Sequence, residues 1–170
     1  MTRAFCLFFC LLAVAGLPTG GHAEWQAIEK VETYAVAGRS GPDLYASIGA
    51  RGPKVGGLRR AIAYTDFKLT WTRKYENRDG ACVLASALPK LIITYRLPRA
   101  GQPLPQPTQS NWDVFVAGVA RHERVHGDLI KQLVAKIEAA TVGLIVAADP
   151  ECRKIRLEMT KRLAALSQAQ

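Results

Sequence analysis

Residues 110–146 read SNWDVFVAGVARHERVHGDLIKQLVAKIEAATVGLIV. Trp112, Phe115, Val119, His122, His126, Leu129, Ile130, Leu133, Ile137, Thr141 and Leu144 recur along this stretch at steps of three and four. That is the period of one helix face, so a long helix running to about residue 146 is expected. Ser110, with Asp113 three positions on, is the expected capping signal at its start. Asp149-Pro150 interrupts the pattern, and residues 151–166 read as a second amphipathic helix folding back on the first.

Upstream, the period changes from helical to extended. Residues 29–36 make a short strand candidate, closed by Gly38-Arg39-Ser40-Gly41-Pro42. Ser40 can cap a short helix through Ile48, with Asp43 as the capping-box partner. Residues 61–75 (AIAYTDFKLTWTRKY) carry β-branched and aromatic residues at strand density. Asn77-Arg78-Asp79-Gly80 is a hairpin-type turn. Residues 91–97 (LIITYRL), apolar on both faces, are the expected central strand. Four prolines between residues 98 and 107 mark an extended connection. The expected fold class is α+β, a small antiparallel sheet followed by the long helix and a second C-terminal helix. One domain is expected over residues 24–170, with a sheet part at 24–98, a Pro-rich connection at 98–109 and a helical part at 110–167.

The N-terminus has the grammar of a secretory leader. Arg3 precedes an uncharged apolar run at residues 4–17, Pro18 to Gly21 break it, and Gly21-His22-Ala23 offers small residues around a cleavage point. That run is short of the roughly 20 residues a spanning helix needs. Cleavage near Ala23 is expected, placing the mature chain in the periplasm or outside the cell. The formal charge is +9, and the leader's one charged residue, Arg3, lowers it by one on removal. Cleavage also removes His22, Cys6 and Cys10, leaving two histidines, His122 and His126, and two cysteines, Cys82 and Cys152. In an oxidising compartment that cysteine pair forms a disulfide most simply. A zinc site is the rival, although neither cysteine sits in a C-x-x-C pair.

The chemistry is carried by His122-Glu123-Arg124-Val125-His126, an H-E-x-x-H on the long helix. Residues four apart lie one turn apart on one face, so both imidazoles can reach one metal ion. Glu123 stands where it can take a proton from a water on that metal. The plain alternative is a pair of hydrogen-bonded core histidines. Against it, the rings fall on the stripe expected to face inward, where unpaired polar groups are costly.

The chain resembles the secreted bacterial proteins grouped as DUF922, described as predicted zinc-dependent proteases. The resemblance rests on residues 34–40 (YAVAGRS), on Ala63-Tyr64-Thr65-Asp66-Phe67 leading to Trp71, and on Cys82. It continues through Leu97-Pro98, Trp112, the His122 to His126 motif and Cys152. It implies a minimal zincin-like domain with Zn2+ held by His122 and His126, Glu123 as catalytic base, and Cys82 paired with Cys152.

A catalytic zinc usually takes three protein ligands. Gln132 stands where a metzincin would have its third histidine, and Glu138 lies about 18 Å along the helix from His126. On the return helix Glu158 falls short of the ion. The sheet is the remaining source, with Asp66 as the candidate third ligand and Tyr64 as a candidate oxyanion partner. Trp71 and Trp112 are expected in the core. The basic residues Lys54, Arg59, Arg60, Arg73, Lys74, Arg153, Lys154 and Arg156 read first as a solvated face, with weak association with an anionic envelope surface as the partner they would favour. No nucleic-acid motif accompanies them. The expectation is a secreted or periplasmic zinc metallohydrolase acting on a peptide or protein substrate. The rival is a non-catalytic envelope or partner-binding protein on the same scaffold with an incomplete metal site.

Overall fold

The structure is a computed structural model that describes residues 25–57 and 59–168. The expected leader at residues 1–23 lies outside the described residues. In chain order the elements are β1 (Ile28–Val36), α1 (Gly41–Arg51), the two-residue strands β2 (Lys54–Val55) and β3 (Arg59–Arg60), then β4 (Tyr64–Arg78) and β5 (Ala81–Ala100). They are followed by α2 (Thr108–Thr141), the short β6 (Ile145–Val146) and α3 (Lys154–Gln168).

The local signals that formed as expected are those whose partners are close in sequence. Ser40 and Asp43 make the capping box of α1, each side chain meeting the other's backbone N–H. Asp79 and Gly80 both take positive φ, 52° and 78°, in the tight turn between β4 and β5, a geometry that matches the twist of a hairpin.

The architecture is α+β, but the sheet is mixed rather than wholly antiparallel. β5 is its central strand, in the order β1-β5-β4. β4 pairs with it antiparallel, with a register shift at Lys74/Tyr75. β1 runs parallel to it, Ile28 opposite Ile92 and Val36 opposite Ala100. The chain reaches that parallel register because α1, β2, β3 and β4 lie between the two strands in sequence. β5 also runs through Pro89 and Pro98, beyond the expected end at Leu97. Pro89 falls where neither β1 nor β6 pairs with β5, and Pro98 falls after the β4 register has ended at Arg96. At each point one side of the strand asks for no ladder N–H, so a proline is tolerated.

The helical half departs from expectation at its ends. α2 begins at Thr108, after Pro107, and no side chain caps it. Ser110 and Asp113 are already helical, and Gln109 Nε2 donates to the Asp113 carboxylate at 2.8 Å. The helix stops at Thr141 rather than near residue 146, because Gly143 takes φ +82° just beyond its last turn, the usual left-handed C-terminal stop. Residues 145–146 instead pair with Cys82 and Val83 as β6. α3 begins at Lys154, and the buried Asp149 carboxylate accepts from the N–H groups of Arg153 and Ile155 at 2.8 and 2.9 Å.

α3 does not return along α2 as a hairpin. It packs Ile155 and Met159 on Cys82, Leu84 and Ala87 of the sheet, and meets α2 near its end, where Arg162 Nη1 donates to Ala140 O. Cys82 and Cys152 are disulfide-bonded across 70 residues with Cα atoms 5.2 Å apart, which removes them as zinc ligands. Trp112 is buried in a second apolar cluster with Val36, Leu44 and Ile48. A third, of Leu91, Ile93, Tyr95 and Val134, joins the sheet to the middle of α2.

Candidate metal centre on the long helix

α2 lies across the sheet on β5 and β4, and in its middle turns the face it presents is not the one its apolar spacing suggests. The buried positions are Trp112, Glu123, Gly127, Val134, Ile137 and Thr141. His122 and His126 are exposed, as are Phe115 and Leu129. Trp112, Ile137 and Thr141 are buried as the spacing suggests, whereas in the middle turns the buried Glu123, Gly127 and Val134 each stand one position beyond His122, His126 and Leu133. The cost of burying two imidazoles does not arise, while a carboxylate, Glu123, is placed against the sheet at 7% exposure.

Two facing pairs account for this rotation. Thr65 and Tyr95 are cross-strand partners on β4 and β5, so their side chains leave the same face of the sheet. Glu123 and Gly127, four apart, occupy successive turns of the helix above them. The Thr65 hydroxyl lies 2.6 Å from Glu123 Oε2, to which it donates, and 3.1 Å from Glu123 O. One turn on, Gly127 leaves room for Tyr95. A Cβ at residue 127 would overlap the Tyr95 hydroxyl and stand 2.9 Å from Cζ and 3.1 Å from Cε1. A glycine inside a helix costs about 1 kcal/mol relative to alanine, and here it permits the close approach.

Tyr95 is fixed from the other side. Its hydroxyl donates to Glu29 Oε2 at 3.2 Å, and Glu29 Oε1 accepts from Lys131, which also bridges Asp128. Burial, and then the Glu29 carboxylate, raise the phenol pKa above its ordinary value. Asp128 and then Glu29 hold the Lys131 ammonium above its usual range.

With Glu123 and Gly127 inward, the histidines reach over the shoulder of the helix into a cavity of about 550 Å³ between α2 and the start of β4. Their Nε2 atoms are 3.1 Å apart, with ring planes at 80°. Two bonds of about 2.0–2.1 Å to donors at that separation meet at about 100°, close to a tetrahedral angle. Two nitrogens at that separation can share one zinc ion, which makes the pair two of the three protein ligands a catalytic zinc usually takes. In the metal-free chain the same spacing makes a hydrogen bond when one ring carries its proton on Nε2.

The other candidates fall in the same cavity without completing the set. Tyr64 and Asp66 both line it. Asp66 Oδ1 accepts from the N–H of Phe67 at 2.9 Å. Among the described residues, no three His, Cys, Asp or Glu side chains gather closely enough to hold a metal. Apolar side chains also line the cavity, Phe67 from β4 and Leu129, Ile130 and Leu133 from α2. Thr65 and Gly127 were not singled out by motif reasoning. A glycine directly after the second histidine, inside an otherwise good helix, was the available signal.

The basic residues are spread among local partners. Lys74 and Arg78 both bridge Glu76. Arg153 pairs with Glu151, and the guanidinium of Arg156 lies 4.4 Å from the centre of the Tyr75 ring.

No curated protein and no solved structure matches the chain. The family described as bacterial proteins of unknown function, DUF922, matches residues 31–170, and this chain belongs to it.

Proposed function

We propose that this protein is a secreted or periplasmic zinc-dependent hydrolase acting on peptide or protein substrates. The observation that carries the reading is the pair of Nε2 atoms 3.1 Å apart at the mouth of a cavity whose floor holds the buried Glu123. His122 and His126 would hold a zinc ion, with Asp66 as the candidate third ligand, and the ion would supply Lewis acidity that makes a water easier to deprotonate. Glu123 receives the proton of the attacking water on its carboxylate and returns it to the departing amine. Tyr64, on the rim, is the candidate donor to the carbonyl oxygen under attack, and the Phe67–Leu133 wall takes an apolar side chain of the substrate. The reading includes removal of residues 1–23 and allows a weak hold on an anionic envelope surface.

The test is metal content per chain by mass spectrometry on the purified protein and on His122→Ala. About one zinc in the parent and none in the variant is expected. Cleavage of casein or a peptide library by the zinc-loaded parent, and its loss in Glu123→Gln, then establishes hydrolysis. A second reading is favoured by the gathering of two rather than three ligands among the described residues. On that reading the protein is a non-catalytic, partner-binding member of the same fold. It predicts zinc retained with no cleavage.

A further inference from the structure

The Thr65 hydroxyl carries one proton and faces two acceptors belonging to the same residue, Glu123 Oε2 at 2.6 Å and Glu123 O at 3.1 Å. Oε2 is the closer acceptor. Glu123 is 7% exposed, and a buried carboxylate held by a hydroxyl donor is restricted in the torsions that would otherwise let it swing. Thr65 is itself held by its cross-strand register with Tyr95, and Tyr95 is held by Gly127 and Glu29. The donor therefore sits on a rigid sheet, while the acceptor sits on the helix that carries both histidines.

We propose that Thr65 is a positioning residue for Glu123, its hydroxyl orienting the carboxylate that receives the proton. The inference rests on the hydrolytic reading of that site. The short contact to Oε2 fixes the direction of the carboxylate, and the main-chain oxygen of the same residue lies within reach of the same hydroxyl proton. No bond on Thr65 is made or broken, and its proton stays on Oγ1 throughout.

The experiment compares Thr65→Val, which keeps the shape and removes the donor, with Thr65→Ser, which keeps the donor. Both are made in the full chain and loaded with zinc. Thr65→Val is expected to lower kcat about 10- to 100-fold, as misplacement of a catalytic group does, with KM and zinc per chain unchanged. Thr65→Ser is expected to restore most of the loss. Without any assay of turnover, Thr65→Val should lower the urea midpoint more in the parent than in a Glu123→Leu background, where no carboxylate accepts. Parental turnover in Thr65→Val, a Thr65→Ser variant as slow as Thr65→Val, or equal midpoint shifts in both backgrounds would each overturn the proposal. A parent that holds zinc and cleaves nothing removes the hydrolytic reading and the role built on it, whereas equal midpoint shifts remove the Thr65–Glu123 pairing alone.

Discussion

Alanine at Gly127 tests whether contact with Tyr95 sets the rotation of α2. In an isolated helix the change is favourable by about 1 kcal/mol. Here the added Cβ would overlap the Tyr95 hydroxyl and lie 2.9 Å from Cζ, against about 3.5–4.0 Å for an unstrained carbon contact. Tyr95 is 4% exposed and bonded to Glu29, so the ring has nowhere to go and the helix must lift by about half an ångström or more. Overpacking of this kind costs about 1–3 kcal/mol. Set against the propensity gain, Gly127→Ala should range from neutral to about 2 kcal/mol destabilising. Tyr95→Phe removes the overlapping oxygen and loses a hydrogen bond worth about 1 kcal/mol. Gly127→Ala should then cost less, giving a coupling of about 1–2 kcal/mol between the two sites. Urea unfolding of the parent, the two single variants and the double variant measures this directly, and zinc affinity of the same proteins reports whether lifting the helix disturbs the histidine pair. A Gly127→Ala protein more stable than the parent by the full propensity gain, with zinc affinity intact, would refute the reasoning.

Three further outcomes follow from the same structure. Cys82→Ser/Cys152→Ser, or reduction, opens a loop of 70 residues and should cost roughly 4 kcal/mol on the chain-entropy model, read as a lower urea midpoint. Acid should unfold the protein through carboxylates whose folded pKa lies below the unfolded one. Lys74, then Arg78, hold Glu76 at about 2, the Ser40 hydroxyl lowers Asp43, and for Asp149 burial opposes but the N–H groups of Ile155, Lys154 and Arg153 prevail, leaving it lowered. Groups of this sign stabilise above the unfolded pKa and lose that contribution as pH falls through the folded one. The midpoint should therefore drop below about pH 4.5 and continue falling toward pH 2; Glu76→Gln and Asp149→Asn should flatten that slope, and an unchanged slope in both would remove the assignment. Finally, Glu123→Gln should retain about one zinc per chain while abolishing cleavage; loss of the metal would instead make Glu123 part of its binding.

The motif and its neighbours carried much of this protein in linear form. Ser40 with Asp43, the Asp79-Gly80 turn and the four-residue step from His122 to His126 act between residues close in sequence, so a string of letters suffices to read them. Cys82 and Cys152, the two cysteines outside the expected leader, were legible as the simplest pair, with a zinc site as the rival, and they are disulfide-bonded. The parallel register of β1, the β6 strand in place of a last helical turn and the path of α3 were not, because each depends on a partner tens of residues away. The inward face of α2 shows the difference most sharply. Spacing put the histidines on the apolar stripe, and that stripe was taken as the buried one. A helix face is buried by what it meets, and here it meets a hydroxyl at Thr65 and a ring at Tyr95. Those two sheet residues turn Glu123 and Gly127 inward and leave both imidazoles over the open cavity. Sequence alone determined that two imidazoles share one side of a helix beside a carboxylate; the sheet beneath decided that both imidazoles face outward and the carboxylate inward, since only packing across the chain sets a helix's rotation.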